Sequence, residues 1–377
     1  MAKKIYVIAG EASGDLHGAH LIRSLRAASG PAPLEIYGVG GDRIRETGAL
    51  QFFDLAHFHV TGVTDAIKRY SDYKKAANLI LSRIAAVRPD VVVLIDNPGF
   101  NLHLAERIHA LGIPVAYYIA PQIWAWAPRR VLKIKAFVRK VLVVFEFEKA
   151  IYEKNGVPVA WVGHPLKDLI PPREKDGAGG SPEKTAGLVV ALMPGSRKGE
   201  LKMLFSVFLE AAALLRREIP GISFRLIKAP TLPAECYRRL LGNSPVPVDL
   251  VENDSYDAIR SCDLALVCSG TATLECAMLG TPMIIANRGT WLTYLAARIL
   301  IRVPCLGLPN LILGQKKFPE LLQFDATGEK IAAEALKILR DPSVTSRMKK
   351  DLEEVSRRLG ESGAGQRAAE EILRVIG

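Results

Sequence analysis

Between Leu264 and Asn287 the chain reads LALVCSGTATLECAMLGTPMIIAN, and that one stretch leaves few folds open. Leu264 to Cys268 is an uncharged run of strand length. Ser269, Gly270 and Thr271 supply small turn residues, and Thr271 to Leu279 has helical spacing. Gly280 is a stop signal with Pro282 just beyond, and Met283 to Ala286 is the next buried strand. A strand that enters a helix through small residues leaves the first N–H groups of that helix without acceptors, where an anion docks. Glu275 falls about one turn into the helix, within reach of a sugar hydroxyl beside a docked phosphate. The same spacing also fits an ordinary βαβ crossover with a solvated glutamate.

The arrangement recurs. Lys4 to Ala9 is a buried strand followed by Gly10-Glu11-Ala12-Ser13-Gly14-Asp15 and a helix through Arg26. This is not GxGxxG, so no dinucleotide fingerprint is expected. Leu34 to Gly38 is a strand ending in Gly38-Val39-Gly40-Gly41, a turn able to approach a ligand. Val91 to Ile95 carries Asp96-Asn97-Pro98-Gly99-Phe100-Asn101 at its carboxyl end. Val115 to Ile119, Lys140 to Val144 and Val159 to Val162 continue the pattern. It restarts at Gly187 to Met193, followed by strands at Phe224 to Lys228 and Val248 to Val251. Leu201, Leu204, Phe205, Phe208, Ala212 and Leu215 mark one helix face. Lys330 to Arg340, Met348 to Leu359 and Gln366 to Ile376 read as helices. Alternation of this kind predicts parallel sheets with ligands beyond the carboxyl ends of the strands. Glu11, Asp96 and Ala120-Pro121-Gln122 should line one crevice.

At 377 residues the chain exceeds the usual single core. PPREKDGAGGSPEKTA, residues 171–186, is the Pro/Gly/charge-rich stretch expected as a linker. The expected organisation is a domain over 1–170, that linker, a second domain over 187–345, and C-terminal helices over 346–377. With 49% apolar residues both domains have material for a core. A net charge of +11 points to an anionic partner. Five cysteines without a CxxC pair argue against a disulfide framework or a zinc site, and for a reducing compartment. MAKKIYVIAGEASGD has too short an apolar run for a signal peptide. Ile108 to Pro128 is uncharged, but Pro114, Pro121 and Pro128 favour a strand plus loop over a spanning helix.

Two similar halves facing a central cleft would create a small-molecule site. Gly195-Ser196-Arg197 and Gly270-Thr271 follow strands and together offer N–H groups, hydroxyls and a guanidinium to a diphosphate. Arg197 would offset charge on a departing diphosphate; its bland reading is a solvated arginine beside Lys198 and Lys202. No Asp-x-Asp occurs, so metal-assisted departure is not expected and no cofactor is implied. Asp96 is the first candidate for general base, because a carboxylate facing an apolar crevice has its pKa raised, and Glu11 is its competitor. Asp15 has the bland reading of a contact with a nearby helix start. His164 either contacts a phosphate or acceptor or is a packed turn residue. Trp124-Ala125-Trp126-Ala127-Pro128-Arg129-Arg130 runs into Lys133, Lys135, Arg139 and Lys140 without an acid. That composition suits an anionic membrane interface or single-stranded nucleic acid. Val60 to Lys75 adds a second apolar-then-basic stretch.

Gly10 to Asp15, Tyr37 to Gly41, Asp96 to Asn101, Ala120 to Trp126, Phe147-Glu148-Lys149 and Gly163-His164-Pro165 resemble motifs of the lipid-A-disaccharide synthase family. So do Leu192 to Arg197, Ser269 to Glu275 and Leu308-Pro309-Asn310-Leu311. The resemblance implies a GT-B glycosyltransferase with two Rossmann-like parallel-sheet domains. It would transfer diacylglucosamine from UDP-2,3-diacylglucosamine to 2,3-diacylglucosamine 1-phosphate (lipid X) with inversion, releasing UDP. By analogy Gly195, Ser196, Arg197, Gly270, Thr271, Glu275 and Asn310 serve UDP. Asp96 serves as base, and Ser13, Asn101, Gln122, Trp124, Trp126 and His164 serve the acceptor and its acyl chains. Some relatives carry an aspartate where this chain has Gly99; a base there would leave Glu11 next in line here. The family's setting implies a cytoplasmic protein peripherally bound at the inner membrane, in lipopolysaccharide synthesis, with a homodimer left open. Two other readings are another UDP-sugar GT-B enzyme (a peptidoglycan N-acetylglucosaminyltransferase or an epimerase) and a basic nucleic-acid-binding protein. The latter would set Glu275 and Asp96 against phosphates, and no nucleic-acid-binding motif occurs.

Overall fold

The computed structural model describes residues 2–10, 12–53, 70–126, 128–171, 187–290 and 303–377. Glu11, the side chain of Trp126, residues 60–69 and linker residues 172–186 lie outside the described residues. The chain forms two compact units: Met1–Leu169 with Leu359–Gly377, and Ile170–Ile299 with Val303–Arg358.

In the first unit, strands β1 (Lys3–Ala9), β2 (Leu34–Val39), β3 (Leu50–Phe53), β4 (Val91–Ile95), β5 (Val115–Tyr118), β6 (Lys140–Val143) and β7 (Val159–Trp161) form a sheet. Their order is β3-β2-β1-β4-β5-β6-β7 and every described pairing is parallel. Parallel strands are covered on both faces, which is why they read as unbroken apolar runs. Tyr6, Ile8, Val92, Leu94, Tyr117 and Val141 of the sheet share one core with Ile80, Ile84, Leu104 and Ile108 of two helices. Burying each such side chain contributes about 1.5–3 kcal/mol.

The second unit repeats the plan with β8 (Val189–Met193), β9 (Ser223–Ile227), β10 (Asp249–Val251), β11 (Leu264–Cys268), β12 (Met283–Asn287) and β13 (Glu320–Leu322). Their order is β10-β9-β8-β11-β12-β13, again parallel. The helix Lys198–Glu218 buries the expected face, Leu201, Leu204, Phe205, Phe208, Ala212 and Leu215. Strands β3 and β13 carry no run that announces them. Each is short and pairs with one neighbour at a sheet edge, so its residues need not be apolar throughout.

The helix Ala364–Val375 packs in the first unit, against the helix Ala12–Ala28. Its N-terminus is held by Asp168, whose carboxylate accepts from the N–H groups of Gly363, Ala364 and Gly365. Among the described residues no helix is long and apolar enough to cross a membrane, and the proline-rich stretch after Ile113 forms β5 and a loop.

Both sheets reverse strand order at one place, between β1 and β4 and between β8 and β11. Ligands of open α/β sheets bind outside the carboxyl ends of the strands at such switch points.

Candidate active site

At the second unit's switch point, β8 leads into Pro194-Gly195-Ser196-Arg197 and β11 into Ser269-Gly270-Thr271. The first of these turns is not open. The Glu200 carboxylate accepts from the N–H groups of Ser196 (2.9 Å) and Arg197 (3.2 Å), and it pairs with the Arg197 guanidinium at 3.0 Å. Gly195 makes room for this, because a Cβ there would stand 2.5 Å from the Glu200 Cβ at a left-handed φ of 124°. The expected anion cradle of Ser196 and Arg197 is thus occupied by the protein's own anion. A diphosphate reaches those groups by displacing a carboxylate.

The second turn is open. Thr273 donates both its N–H (3.1 Å) and its hydroxyl (2.7 Å) to the Gly270 carbonyl, which fixes the turn. The N–H groups of Leu274 and Glu275 are likewise used, donating to the Thr271 carbonyl, which leaves those of Gly270, Thr271 and Ala272, at the start of the helix Ala272–Leu279, without an acceptor among the described residues. Glu275, in that helix, is largely buried and has no hydrogen-bond partner among the described residues. Burial alone pushes its carboxyl up to about 7. A carboxylate left uncompensated in this way is suited to accept from hydroxyls that a ligand brings.

The Asn310 side chain is already engaged within the protein. It is fully buried; its amide donates to the Phe318 carbonyl (2.9 Å) and Glu320 (2.7 Å), and its oxygen accepts from the N–H groups of Lys317 and Phe318. Every polar atom of the side chain is spent on pinning the loop before β13.

In the first unit, Asp96 ends β4 on an unusual backbone. Asp96 (φ 49°) and Asn97 (φ 42°) are consecutive left-handed residues, and Ile119 (φ 53°), at the end of β5, is a third. Each such non-glycine residue costs on the order of 1 kcal/mol or more and persists only where the surroundings enforce it. Here Tyr117 donates its hydroxyl to the Asp96 carbonyl at 2.6 Å. Asn101 donates to the carbonyls of Ile95 (3.0 Å) and Asp96 (2.8 Å). Asn101 therefore supports the turn from inside, being fully buried, and presents no side-chain surface to an acceptor.

Asp15 is likewise structural. Its carboxylate accepts from the N–H groups of Gly41, Arg43 and Ile44 and so caps the helix after β2, leaving the Gly40-Gly41 turn less open than expected. His164 is buried, accepts from the Leu166 N–H at 3.3 Å and packs on Phe145 (5.6 Å). Burial drives its pKa down to about 3, with the neighbouring His17 adding to the effect. A neutral imidazole brings no positive charge to a phosphate, and its burial and packing fit the packed-turn reading. Ser13 is exposed in the first turn of its helix, and Gln122 and Trp124 are half-buried after β5.

Three groups at these edges escaped the sequence. His17 lies 6.3 Å from His164 ring to ring, and burial lowers its pKa to about 4. Glu148 is buried under Trp124, whose indole N–H it accepts at 3.0 Å. Glu200 and Glu148 share a signal that could have found them, a glutamate three residues after a strand-end residue at a helix start.

The chain matches the family model described as lipid-A-disaccharide synthetase over residues 5–375. It is 39% identical over 376 residues to a lipid-A-disaccharide synthase of Geobacter sulfurreducens, covering 99% of this chain and 97% of the relative. The chain belongs to the lipid-A-disaccharide synthetase family. It is therefore an enzyme, a glycosyltransferase of lipid A biosynthesis. A lipid-A-disaccharide synthase of Trichlorobacter lovleyi is 40% identical over 377 residues, with 99% and 98% covered. Among solved structures, a UDP-GlcNAc 2-epimerase from Neisseria meningitidis bound to UDP-GlcNAc shares the fold at TM-score 0.68 and 13% identity, covering 98% of this chain and all of that one. A calicheamicin glycosyltransferase does so at TM-score 0.63 and 14% identity, covering 100% and 99%. The lipid-A-disaccharide synthetase family thus has the GT-B arrangement of two parallel sheets in this chain.

Proposed function

We propose that this chain transfers 2,3-diacylglucosamine from its UDP-linked form to a hydroxyl of 2,3-diacylglucosamine 1-phosphate, with inversion at the anomeric carbon and release of UDP. The second unit holds the UDP-sugar and the first holds the acceptor. Asp96 takes the proton of the acceptor hydroxyl as that oxygen attacks the anomeric carbon and the bond to UDP breaks. Glu275 accepts from the ribose hydroxyls. The open turn at Gly270 and Thr271 receives the diphosphate, which draws Arg197 away from Glu200 as charge develops on it. The observation that carries this reading is that each sheet sets an acid at its switch point: Asp96 on a locked, left-handed turn, and Glu275 half-buried, its carboxyl without a hydrogen-bond partner among the described residues.

Both substrates carry acyl chains, and the helix Arg130–Phe137 suits a membrane surface. Leu132 on it is 66% exposed beside Lys133 and Arg129. We place the enzyme at the cytoplasmic face of the inner membrane, bound through this basic, apolar face.

The test is UDP release from UDP-2,3-diacylglucosamine, in chelator, with and without the monosaccharide 1-phosphate. Release that requires the acceptor, with a disaccharide phosphate of inverted configuration by NMR, is expected. Release from UDP-N-acetylglucosamine with a different acceptor, and none from the acylated donor, would overturn the substrate assignment.

A further inference from the structure

Glu148 is used by nothing in the reaction just described, yet it ties two strand-end loops together. It follows β6, where its Oε2 accepts from the Phe145 N–H at 3.3 Å. Its Oε1 reaches across to the loop after β5 and accepts from Nε1 of Trp124 at 3.0 Å. Tyr152, on the same helix as Glu148, donates its hydroxyl to the Pro121 carbonyl at 3.0 Å and secures the start of that loop. The other buried acids, Asp15 and Glu320, are spent on backbone N–H groups or a buried amide. Glu148 alone among them holds an aromatic ring that is itself half-exposed.

That ring belongs to a row. Trp124 meets Phe147 edge-on at 5.0 Å, Phe147 stacks flat on Phe145 at 5.7 Å, and Phe145 lies 5.6 Å from His164. The row crosses the carboxyl ends of β5, β6 and β7. Its inner members are buried, and Trp124 and Phe147 are partly open. Aromatic rings offer wide apolar contact, and an indole turned with its N–H inward offers only that.

We propose that Glu148 is a positioning residue for the acceptor: by gripping the indole N–H it holds Trp124 as an apolar wall along which an acyl chain lies. This rests on the first unit taking the acceptor. Burial raises the Glu148 carboxyl to about 7, against hydrogen bonds from Trp124, Phe145 and Val144 that lower it. Charged or neutral, the carboxyl keeps an acceptor for the indole. A glutamine does not meet the same donors, because its NH2 must face one of their N–H groups.

Glu148→Gln and Trp124→Phe are to be compared singly and together. Trp124→Phe leaves the carboxylate its backbone partners, so it folds even if the glutamine variant does not. With full-length acceptor, each is expected to raise the acceptor KM about tenfold, with kcat and the UDP-sugar KM within about twofold, and the pair to be no worse than one alone. With an acceptor of shortened acyl chains, the penalty shrinks. An unchanged acceptor KM in Trp124→Phe, effects that multiply, or a penalty independent of chain length would overturn the inference alone. Coupled changes in the donor KM would overturn the acceptor assignment of the first unit as well.

Discussion

Glu148 is buried and Glu275 half-buried, and in both the loss of water raises the carboxyl to about 7, yet their surroundings are opposite. Glu148 recovers part of that cost from an indole and backbone N–H groups, and so belongs to the architecture. Glu275 recovers none of it from side chains or backbone among the described residues, and in the proposed function its cost is met by the ribose hydroxyls. The same displacement of a pKa thus accompanies a fixed joint in one unit and, in the other, the carboxyl proposed to bind the ribose. The partner list separates them; the shift does not.

The contrast breaks most decisively at Asp96. Asp96→Asn keeps the shape of the turn, since its locked atoms are the backbone carbonyls that Tyr117 and Asn101 hold. Turnover is expected to fall by about 10²–10⁴-fold with UDP affinity by calorimetry unchanged. Retained turnover would move the base to Glu11. Arg197→Ala tests the other unit. Because Glu200 neutralises Arg197 before the diphosphate arrives, its loss should lower kcat about 10-fold or more and leave the donor KM nearly untouched. A higher KM at constant kcat would make Arg197 a ground-state contact.

The buried histidines of the first unit and Glu275 of the second respond to pH with opposite sign, while Glu148 of the first unit shifts in the same direction as Glu275. Burial depresses His17 and His164, so their contribution is present above the unfolded value near 6.5 and is lost as pH falls through about 4 and 3. Glu275 is raised, so its contribution is present below 4.5 and is lost as pH climbs through about 7. Glu275→Gln should therefore stabilise the ligand-free protein at pH 8 by on the order of 2 kcal/mol, discounted for partial exposure, and give no gain below pH 4.5. Denaturant melts across that range check it; a gain that is flat with pH would mean Glu275 has a partner. In the same protein UDP binding should weaken, since the charged acceptor for ribose hydroxyls is gone.

The smallest effect is expected at Gly99. A Cβ there meets nothing within 4 Å, so Gly99→Ala should change stability by less than about 1 kcal/mol and turnover by less than about twofold. A large loss of turnover alone would place the acceptor against that backbone.

Sequence periodicity sufficed for the strands with continuous apolar runs, and with them both switch points, because a fully buried parallel strand has no polar alternation to confuse it. It failed at β3 and β13, whose edges relax that demand. Side-chain roles divided along another line. The place of Glu275 in the first turn of its helix was legible because it depends on one local turn. Asp15 was legible as a helix-start contact, though not which helix; Asn101 and Asn310 were not, because their partners lie across a loop or in another strand end, and only tertiary structure shows that their polar atoms are spent. Glu200 sits between these cases. Its spacing was local, but reading a cradle as open requires asking what the protein already puts in it.

The clasp between Asp168 and the helix Ala364–Val375 has a consequence for the nascent chain. Ala368, Ala369 and Ile372 are fully buried in the unit that begins with β1, so that unit is completed by a helix made after the second unit. While the ribosome is still translating, the helix Ala12–Ala28 lacks its cover, and apolar surface stands open. The first unit therefore gains its last layer only after the second unit has been synthesised.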